Sequence, residues 1–249
     1  MSRLAIIGGT GLTRLETVNI TGREHRTTPY GAPSGPVITG TLVGHEILFL
    51  PRHGDPHATP PHKVNYRANI RALKDCGVTG IIAINAVGGI TPAMGPCVVA
   101  IPDQIIDYTW SREHTYSDGT AETVEHIDFT EPYSADLRKH IIDAAASIHL
   151  DIQTRGTYGA TQGPRLETPA EITRMERDGC DIVGMTGMPE AALARELAIE
   201  YACISLIVNW AAGKTDEEIT MEIIQQNLDH GMNKIKRLLE AVVQAMCKE

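Results

Sequence analysis

GTYGATQGPRLETPAEITRMERDGCDIVGMTGMPEAALARE, residues 156–196, is the stretch whose reading decides the fold. Thr168-Pro169-Ala170-Glu171 has the form of a capping box: a Thr N-cap, Pro at the first helical position and Glu three residues after the cap. Before that helix lies a rigid turn, Gln162 to Glu167, which carries an acid. After it comes a short apolar strand, Asp181 to Met185. That strand runs into Thr186-Gly187-Met188-Pro189-Glu190 and a second helix. A carboxylate, Glu167, and a hydroxyl, Thr186, therefore both leave regular structure at loop tips, where α/β proteins keep their ligands.

Working outward, Arg155 to Thr161 reads as a strand and Ser134 to Leu150 as an amphipathic helix. Ala202 to Val208 is an apolar strand ending in Asn209-Trp210-Ala211-Ala212-Gly213. A second box, Thr215-Asp216-Glu217-Glu218, predicts the start of a long C-terminal helix carrying Met221, Ile224 and Leu228. Toward the N-terminus, Val78 to Ile84 is wholly apolar, as in a parallel sheet covered on both faces. It ends in Asn85-Ala86-Val87-Gly88-Gly89. Val98 to Ile101 is a further short strand, and Tyr108 to Tyr133 is polar and irregular. His62 to Cys76 has helical periodicity and closes at Gly77. Val37 to Val43 and Glu46 to Leu50 flank Gly44-His45 as a hairpin, and the second strand ends in Pro51-Arg52-His53-Gly54. Leu4 to Ile7 feeds Gly8-Gly9-Thr10-Gly11, a glycine turn able to offer backbone N–H groups and a hydroxyl to an anion. No linker or repeat divides the chain. The expectation is one α/β domain over residues 1–249, with a twisted, mostly parallel mixed sheet flanked by helices.

Bulk properties narrow the function. The 249 residues carry a formal charge of −9 and contain no basic run, which argues against nucleic-acid binding. No apolar run approaches the about 20 residues that cross a bilayer, and the N-terminus lacks a signal-peptide core. The five cysteines are scattered without a C-x-x-C pair, as expected of reduced thiols in a cytoplasmic protein. Gly9-x-Gly11 lacks the third glycine of a dinucleotide fingerprint, and no Gly-Lys-Ser/Thr follows to make a P-loop. His53, Asp55, His57 and His62 cluster in a proline-rich loop, but at a spacing that matches no standard zinc pattern.

Thr10, Arg52-His53, Asn85 and Asn209 each fall at a strand end beside glycine, with Thr186 as a fifth site. In a parallel sheet such ends share one edge. Arginine, histidine, hydroxyls and glycine-turn amides together suit a phosphate dianion. With no nucleotide fingerprint and no activated Ser or Cys, the anion reads as a reactant phosphate.

These segments resemble a family. GGTG at 8–11, RHG at 52–54, NAVGG at 85–89, GPRLETPAE at 163–171, GMTGMPE at 184–190 and the final IVN are similar to the trimeric purine nucleoside phosphorylases. That branch includes the 5'-methylthioadenosine phosphorylases. The resemblance runs in order over nearly the whole chain and implies phosphorolysis of a purine nucleoside to free base and ribose 1-phosphate. It implies that Thr10, Arg52, His53, Asn85, Ala86 and Thr186 hold phosphate and that Met185 lies under the ribose. Leu166, Glu167, Asn209, Trp210 and Ala211 would surround the base, with Asn209, Glu167 and His53 as the catalytic groups. His126 would reach the pocket of a neighbouring subunit, in a homotrimer or a dimer of trimers. The resemblance implies no metal and no cofactor, inorganic phosphate being a co-substrate.

The departures within the family point to the substrate. Adenine-directed members carry two acids where this chain has Asn209 and Ala211, and Ser where it has Glu167. A 6-oxopurine offers a donor at N1 and an acceptor at O6, and adenine the reverse. A carboxylate at 167 accepts from N1–H, and an amide at 209 donates to O6 or N7. Leaving such buried groups unpaired discriminates by about 10⁴-fold. Met221 falls where oxopurine enzymes put a histidine toward the ribose 5'-hydroxyl, and a thioether suits a methylthio group instead. S-methyl-5'-thioinosine is the substrate this combination predicts. The alternatives are an inosine/guanosine phosphorylase, a 5'-methylthioadenosine phosphorylase and a noncatalytic nucleoside-binding module.

Overall fold

In a computed structural model of the chain, residues 3–9, 18–117, 119, 125–216 and 218–246 are described, and among them ten strands join in one mixed sheet. The strands are β1 (Leu4–Gly8), β2 (Asn19–Glu24), β3 (Val37–Leu42), β4 (His45–Pro51), β5 (Gly80–Gly89), β6 (Val99–Ala100), β7 (Gln104–Asp107), β8 (Thr157–Ala160), β9 (Ile182–Gly184) and β10 (Glu200–Trp210). The helices are α1 (Tyr66–Asp75), α2 (Ala135–Ser147), α3 (Pro169–Asp178), α4 (Gly187–Glu196) and α5 (Met221–Met246).

The apolar runs of the central strands are explained by layers on both sides. Ala5, Ile7, Leu48, Leu50, Ile81 and Ala83 face one way and share a core with Ile70 and Leu73 of α1 and Leu193 of α4. Their neighbours Leu4, Ile6, Ile47, Phe49, Ile82 and Ile84 face the other way, against Leu137 of α2 and Ile235 and Leu239 of α5. Alternate side chains of one strand thus feed two cores, so no position is left for a polar residue until the strand ends.

Strand pairing then creates the crevice. On one edge β5 pairs in parallel with β10 along its whole length, from Gly80 to Gly89. On the other edge it pairs with β1 only as far as Ala83, and from Gly88 it pairs antiparallel with β9. Between these partners Ile84 to Val87 lies without a strand on that edge, at the carboxyl ends of β1 and β4. This is a topological switch point. Because β9 runs antiparallel to β5, its exit carries Met185 and Thr186 back toward Asn85.

Several boundaries differ from the sequence reading. Asn85 to Gly89, expected to leave the sheet, continues β5, because β10 pairs with it on one edge throughout and β9 takes up the other edge at Gly88 and Gly89. β10 likewise extends to Trp210. The Thr215 box starts no helix: α5 begins at Met221, with the Ile223 N–H donating to the Thr220 hydroxyl at 3.3 Å. The 62–76 segment opens with a 3-10 turn (Pro61–Lys63) before α1 starts at Tyr66 behind an Asn65 cap. β2 and β7 are strands that the sequence pattern does not signal. The Thr168 capping box forms as read, with both reciprocal bonds, and Gly179 closes α3 at φ 96°.

Candidate active site

A cavity of about 500 Å³ opens at the switch point. Arg52 and His53 reach it from the end of β4, Asn85 and Ala86 from β5, and Thr186 from the exit of β9. Leu166, Glu167 and Met185 line it from the loops flanking α3 and β9, Asn209 and Ala211 from the end of β10, and Met221 from the first residue of α5. Three expected residues are not among these. Thr10 lies outside the described residues. His126 is exposed and does not line the cavity. Trp210 turns to the opposite side of β10, where its ring covers Gly95. At this irregular end of β10, where the register to β5 shifts between Ile207 and Asn209, Asn209 and Ala211 line the cavity and Trp210 between them does not.

Arg52 is 1% exposed, and most of its donors are already engaged. Nε and Nη2 each donate to the Glu190 carboxylate at 2.8 Å, and Nη1 donates at 3.0 Å to the Ile84 carbonyl in the unpaired part of β5. The bidentate partner of Arg52 is therefore Glu190, and a ligand meets what remains of the Nη1 edge. Burial opposes the charge on Arg52, but the facing Glu190 outweighs it and holds the guanidinium above its ordinary value. Glu190, 0% exposed, also accepts from the Tyr201 hydroxyl at 2.9 Å. It sits in the first regular turn of α4, just after Met188, whose φ of −117° and ψ of 141° are extended.

His53 is held neutral. Its Nδ1 is 2.8 Å from the Thr59 carbonyl, which requires the proton on that nitrogen and leaves Nε2 as an acceptor. Burial, then the neighbouring Arg52 charge, lowers its pKa to about 4. His57, its ring centre 4.3 Å away and tilted by 37°, is shifted the same way by the same two causes. Positive charge in the site therefore comes from Arg52 alone among these three residues, and hydroxyl and amide dipoles must do the rest. The Thr186 hydroxyl makes no cap bond to α4. Its N–H donates to the Tyr158 hydroxyl at 3.3 Å, which also accepts from Asn85 Nδ2 at 3.5 Å. Tyr158 reaches both because Gly184 carries no side chain: a Cβ there would strike the tyrosine oxygen.

At the other wall, Glu167 receives a 2.7 Å hydrogen bond from the Thr161 hydroxyl. Asn209 donates one amide proton to the Trp210 carbonyl at 2.7 Å, which leaves its second proton and its carbonyl for a ligand. Along α5, Met221, Ile224, Leu228 and Met232 recur every three to four residues and give the cavity an apolar stripe.

The sequence reading missed Glu190, Tyr158, Thr161 and Arg112. Buried Arg112 donates to the carbonyls of Thr161, Gln162, Met185 and Met188, which ties the Glu167 loop to the Thr186 loop. It lies in the irregular 108–133 segment, where no periodicity marks a buried residue. The histidines weighed for a metal do not assemble a site: among the described residues no group of three or more His, Cys, Asp or Glu could hold an ion. Nor is Cys203 an activated thiol, since burial pushes it up to about 12.

A parallel-sheet switch point that combines a buried arginine, a neutral histidine and hydroxyls with an acid–amide wall is an α/β site chemically suited to an oxyanion beside a ring system. The phosphorylase superfamily matches residues 3–244. The chain is 57% identical to a probable S-methyl-5'-thioinosine phosphorylase of Pseudomonas syringae pv. tomato, over 98% of this chain and 100% of that one. It is 43% identical to a 6-oxopurine nucleoside phosphorylase of Pyrococcus furiosus, over 100% of this chain and 95% of that one. A methylthioadenosine phosphorylase from Schistosoma mansoni, solved in complex with adenine, superimposes with a TM-score of 0.94 at 30% identity, covering 100% of this chain and 93% of that one. The chain belongs to the phosphorylase superfamily and is an enzyme of the purine nucleoside phosphorylase type. Among the described residues no helix is long and apolar enough to cross a membrane.

Proposed function

We propose that the protein catalyses phosphorolysis of S-methyl-5'-thioinosine, giving hypoxanthine and 5-methylthioribose 1-phosphate. The observation that carries this reading is one cavity lined by Arg52, His53, Asn85 and Thr186, by the Glu167–Asn209 pair, and by the apolar stripe of α5. The 57% identical relative bears the name of this activity.

In the proposed mechanism the glycosidic bond lengthens first, building positive charge on the ribosyl ring and negative charge on the purine. Asn209 and Glu167 stabilise the leaving base, Glu167 by accepting from N1–H and Asn209 by donating to N7 or O6. Phosphate, held by Arg52, Thr186, Ala86 and Asn85 together with Thr10, sits beneath C1' and stabilises the cation before attacking it. His53, neutral with Nε2 as acceptor, accepts a hydrogen bond from the O–H of a hydrogen phosphate and leaves the proton on the anion. Met185 lies under the ribose, and Leu166 and Ala211 bound the base. No covalent enzyme intermediate forms, and the reading calls for no cofactor beyond phosphate as co-substrate.

The reading includes a cytoplasmic homotrimer. Leu166 and Met221, exposed by 43% and 70%, stand at the cavity mouth, while His126 is exposed on a segment away from it. A neighbouring subunit lending His126 would cover the first two and give the third a use. A general inosine/guanosine phosphorylase is the second reading, supported by the 43% identity to a 6-oxopurine enzyme. A panel of methylthioinosine, inosine, methylthioadenosine and adenosine, each with and without phosphate, separates them. Phosphate-dependent release of hypoxanthine, fastest from methylthioinosine, is the expected result. Preference for inosine would favour the second reading, and release without phosphate would overturn both.

A further inference from the structure

Glu167 stands between two cavities. One is the nucleoside cavity, and the other, about 390 Å³, lies on the far side of the Gln162–Glu167 loop and is lined by Arg165 and Arg174 as well as by Glu167 itself. A half-buried glutamate with three rotatable bonds and two arginines behind it needs a restraint to face the base. Arg165 is held by Glu171 at 2.7 Å, yet it lies close enough to feel the Glu167 charge. Among the described residues the only hydrogen bond to the Glu167 carboxylate comes from Thr161 Oγ1, at 2.7 Å to Oε1.

Thr161 is itself held on both sides. Its N–H donates to the Gly184 carbonyl at 2.8 Å, and its carbonyl accepts from Arg112 Nη2 at 3.0 Å. It is 8% exposed at the end of β8. The Gly184 carbonyl lies 3.2 Å from the hydroxyl, but the carboxylate is nearer and is the stronger acceptor, so the proton goes to Glu167. That bond occupies Oε1 and leaves Oε2 without a hydrogen bond among the described residues.

We propose that Thr161 is a positioning residue that sets base selectivity: its hydroxyl latches Glu167 toward the nucleoside cavity, so that Oε2 meets the N1–H of a 6-oxopurine. The inference rests on the 6-oxopurine reading above. Without the hydroxyl, Glu167 turns toward Arg165 and Arg174, and the site loses its acceptor while its phosphate groups stay in place. Thr161→Val is the informative change, since it keeps the side-chain shape and leaves both backbone bonds in place.

The test is a double-mutant cycle on Thr161 and Glu167, with kcat and KM measured for methylthioinosine, methylthioadenosine and phosphate. Thr161→Val should lower kcat/KM for methylthioinosine by about tenfold, the equivalent of one charge-assisted hydrogen bond, and leave the phosphate KM within about twofold. The ratio of oxopurine to aminopurine activity should narrow accordingly. Thr161→Ser, which keeps the hydroxyl, should recover most of the loss. In a Glu167→Gln background Thr161→Val should add nothing to the selectivity change. Thr161→Ala replaces Val in the cycle should Val fail to fold. Selectivity unchanged by Thr161→Val but lowered by Glu167→Gln would overturn the positioning role and leave the 6-oxopurine reading standing. Failure of Ser to rescue, or full additivity with Glu167→Gln, would overturn it equally. Selectivity unchanged by Glu167→Gln would overturn the 6-oxopurine reading, and this inference with it.

Discussion

Arg52 and Glu190, 138 residues apart in sequence, form a two-pronged ion pair with both prongs at 2.8 Å and side chains 2% and 0% exposed. The pair joins the end of β4 to the first turn of α4 beneath the cavity. Removing one partner strands a buried charge. Glu190→Gln should therefore destabilise the fold by about 3–5 kcal/mol and raise the phosphate KM, since Arg52 loses its anchor. Urea unfolding and phosphate kinetics read the two effects. Replacing both partners together, Arg52→Met with Glu190→Leu, should recover much of the stability and none of the activity. An unchanged unfolding midpoint in Glu190→Gln would show that the pair does not hold the fold.

His53 makes stability depend on pH in a defined direction. Its folded pKa of about 4 lies below the ordinary 6.5, so between those values the unfolded chain binds more protons at this position than the folded one. The contribution is complete above about pH 6.5 and is lost as pH falls toward 4. At about 1.4 kcal/mol per pKa unit it reaches about 3 kcal/mol. His57, lowered in the same direction, adds to the slope. In His53→Gln the unfolding free energy should fall less steeply from pH 6.5 to 4 than in the parent. Parallel slopes would show that His53 does not carry the effect.

The sheet was legible where burial on both faces forced continuous apolar runs, as in Leu4 to Ile7 and Val78 to Ile84. The hairpin was legible from Gly44, but its turn falls one residue earlier than Gly44-His45: Val43 and Gly44 take positive φ, 45° and 84°, and His45 already pairs with Leu42. Of the site, residues at strand ends beside glycine could be read, and the resemblance supplied roles for the rest. What stayed hidden depends on pairings between distant segments. Nothing local marks Glu190 as the partner of Arg52, or Arg112 as the clamp on Met185 and Thr161. Asn85 to Gly89 looks like a loop because its polar and glycine residues suit one, and only pairing to β9 and β10 makes it a strand. The resemblance assigns Trp210 to the base pocket along with Asn209 and Ala211, yet its ring packs over Gly95 while the two flanking residues line the cavity.

The two expected capping boxes make a controlled comparison. The Thr168 box is formed, its hydroxyl accepting from the Glu171 N–H at 3.2 Å, whereas the helix after Thr215 starts only at Met221 behind Thr220. Thr168→Ala should cost about 1 kcal/mol and Thr220→Ala a comparable amount, while Thr215→Ala should stay within about 0.5 kcal/mol. Thermal unfolding of the three variants measures this. A loss at Thr215 equal to that at Thr168 would place the start of α5 where the sequence pattern put it.

Met221 opens α5 at 70% exposure and shares the cavity stripe with Ile224, Leu228 and Met232. A thioether has no proton to donate and packs favourably against sulfur and methyl groups, so under the proposed reading this end of the pocket would accept a methylthio group and leave a hydroxyl unpaired. Histidine at the same position would supply a donor in place of that packing. Met221→His should therefore raise kcat/KM for inosine relative to methylthioinosine by about tenfold, the worth of one hydrogen bond to the 5'-hydroxyl and the weaker seating of the methylthio group taken together. A change confined to KM would mark binding that is equal in the ground and transition states. Equal effects on both substrates would mean that Met221 only packs the start of α5, and that the 5' group is read by the deeper residues Leu228 and Met232.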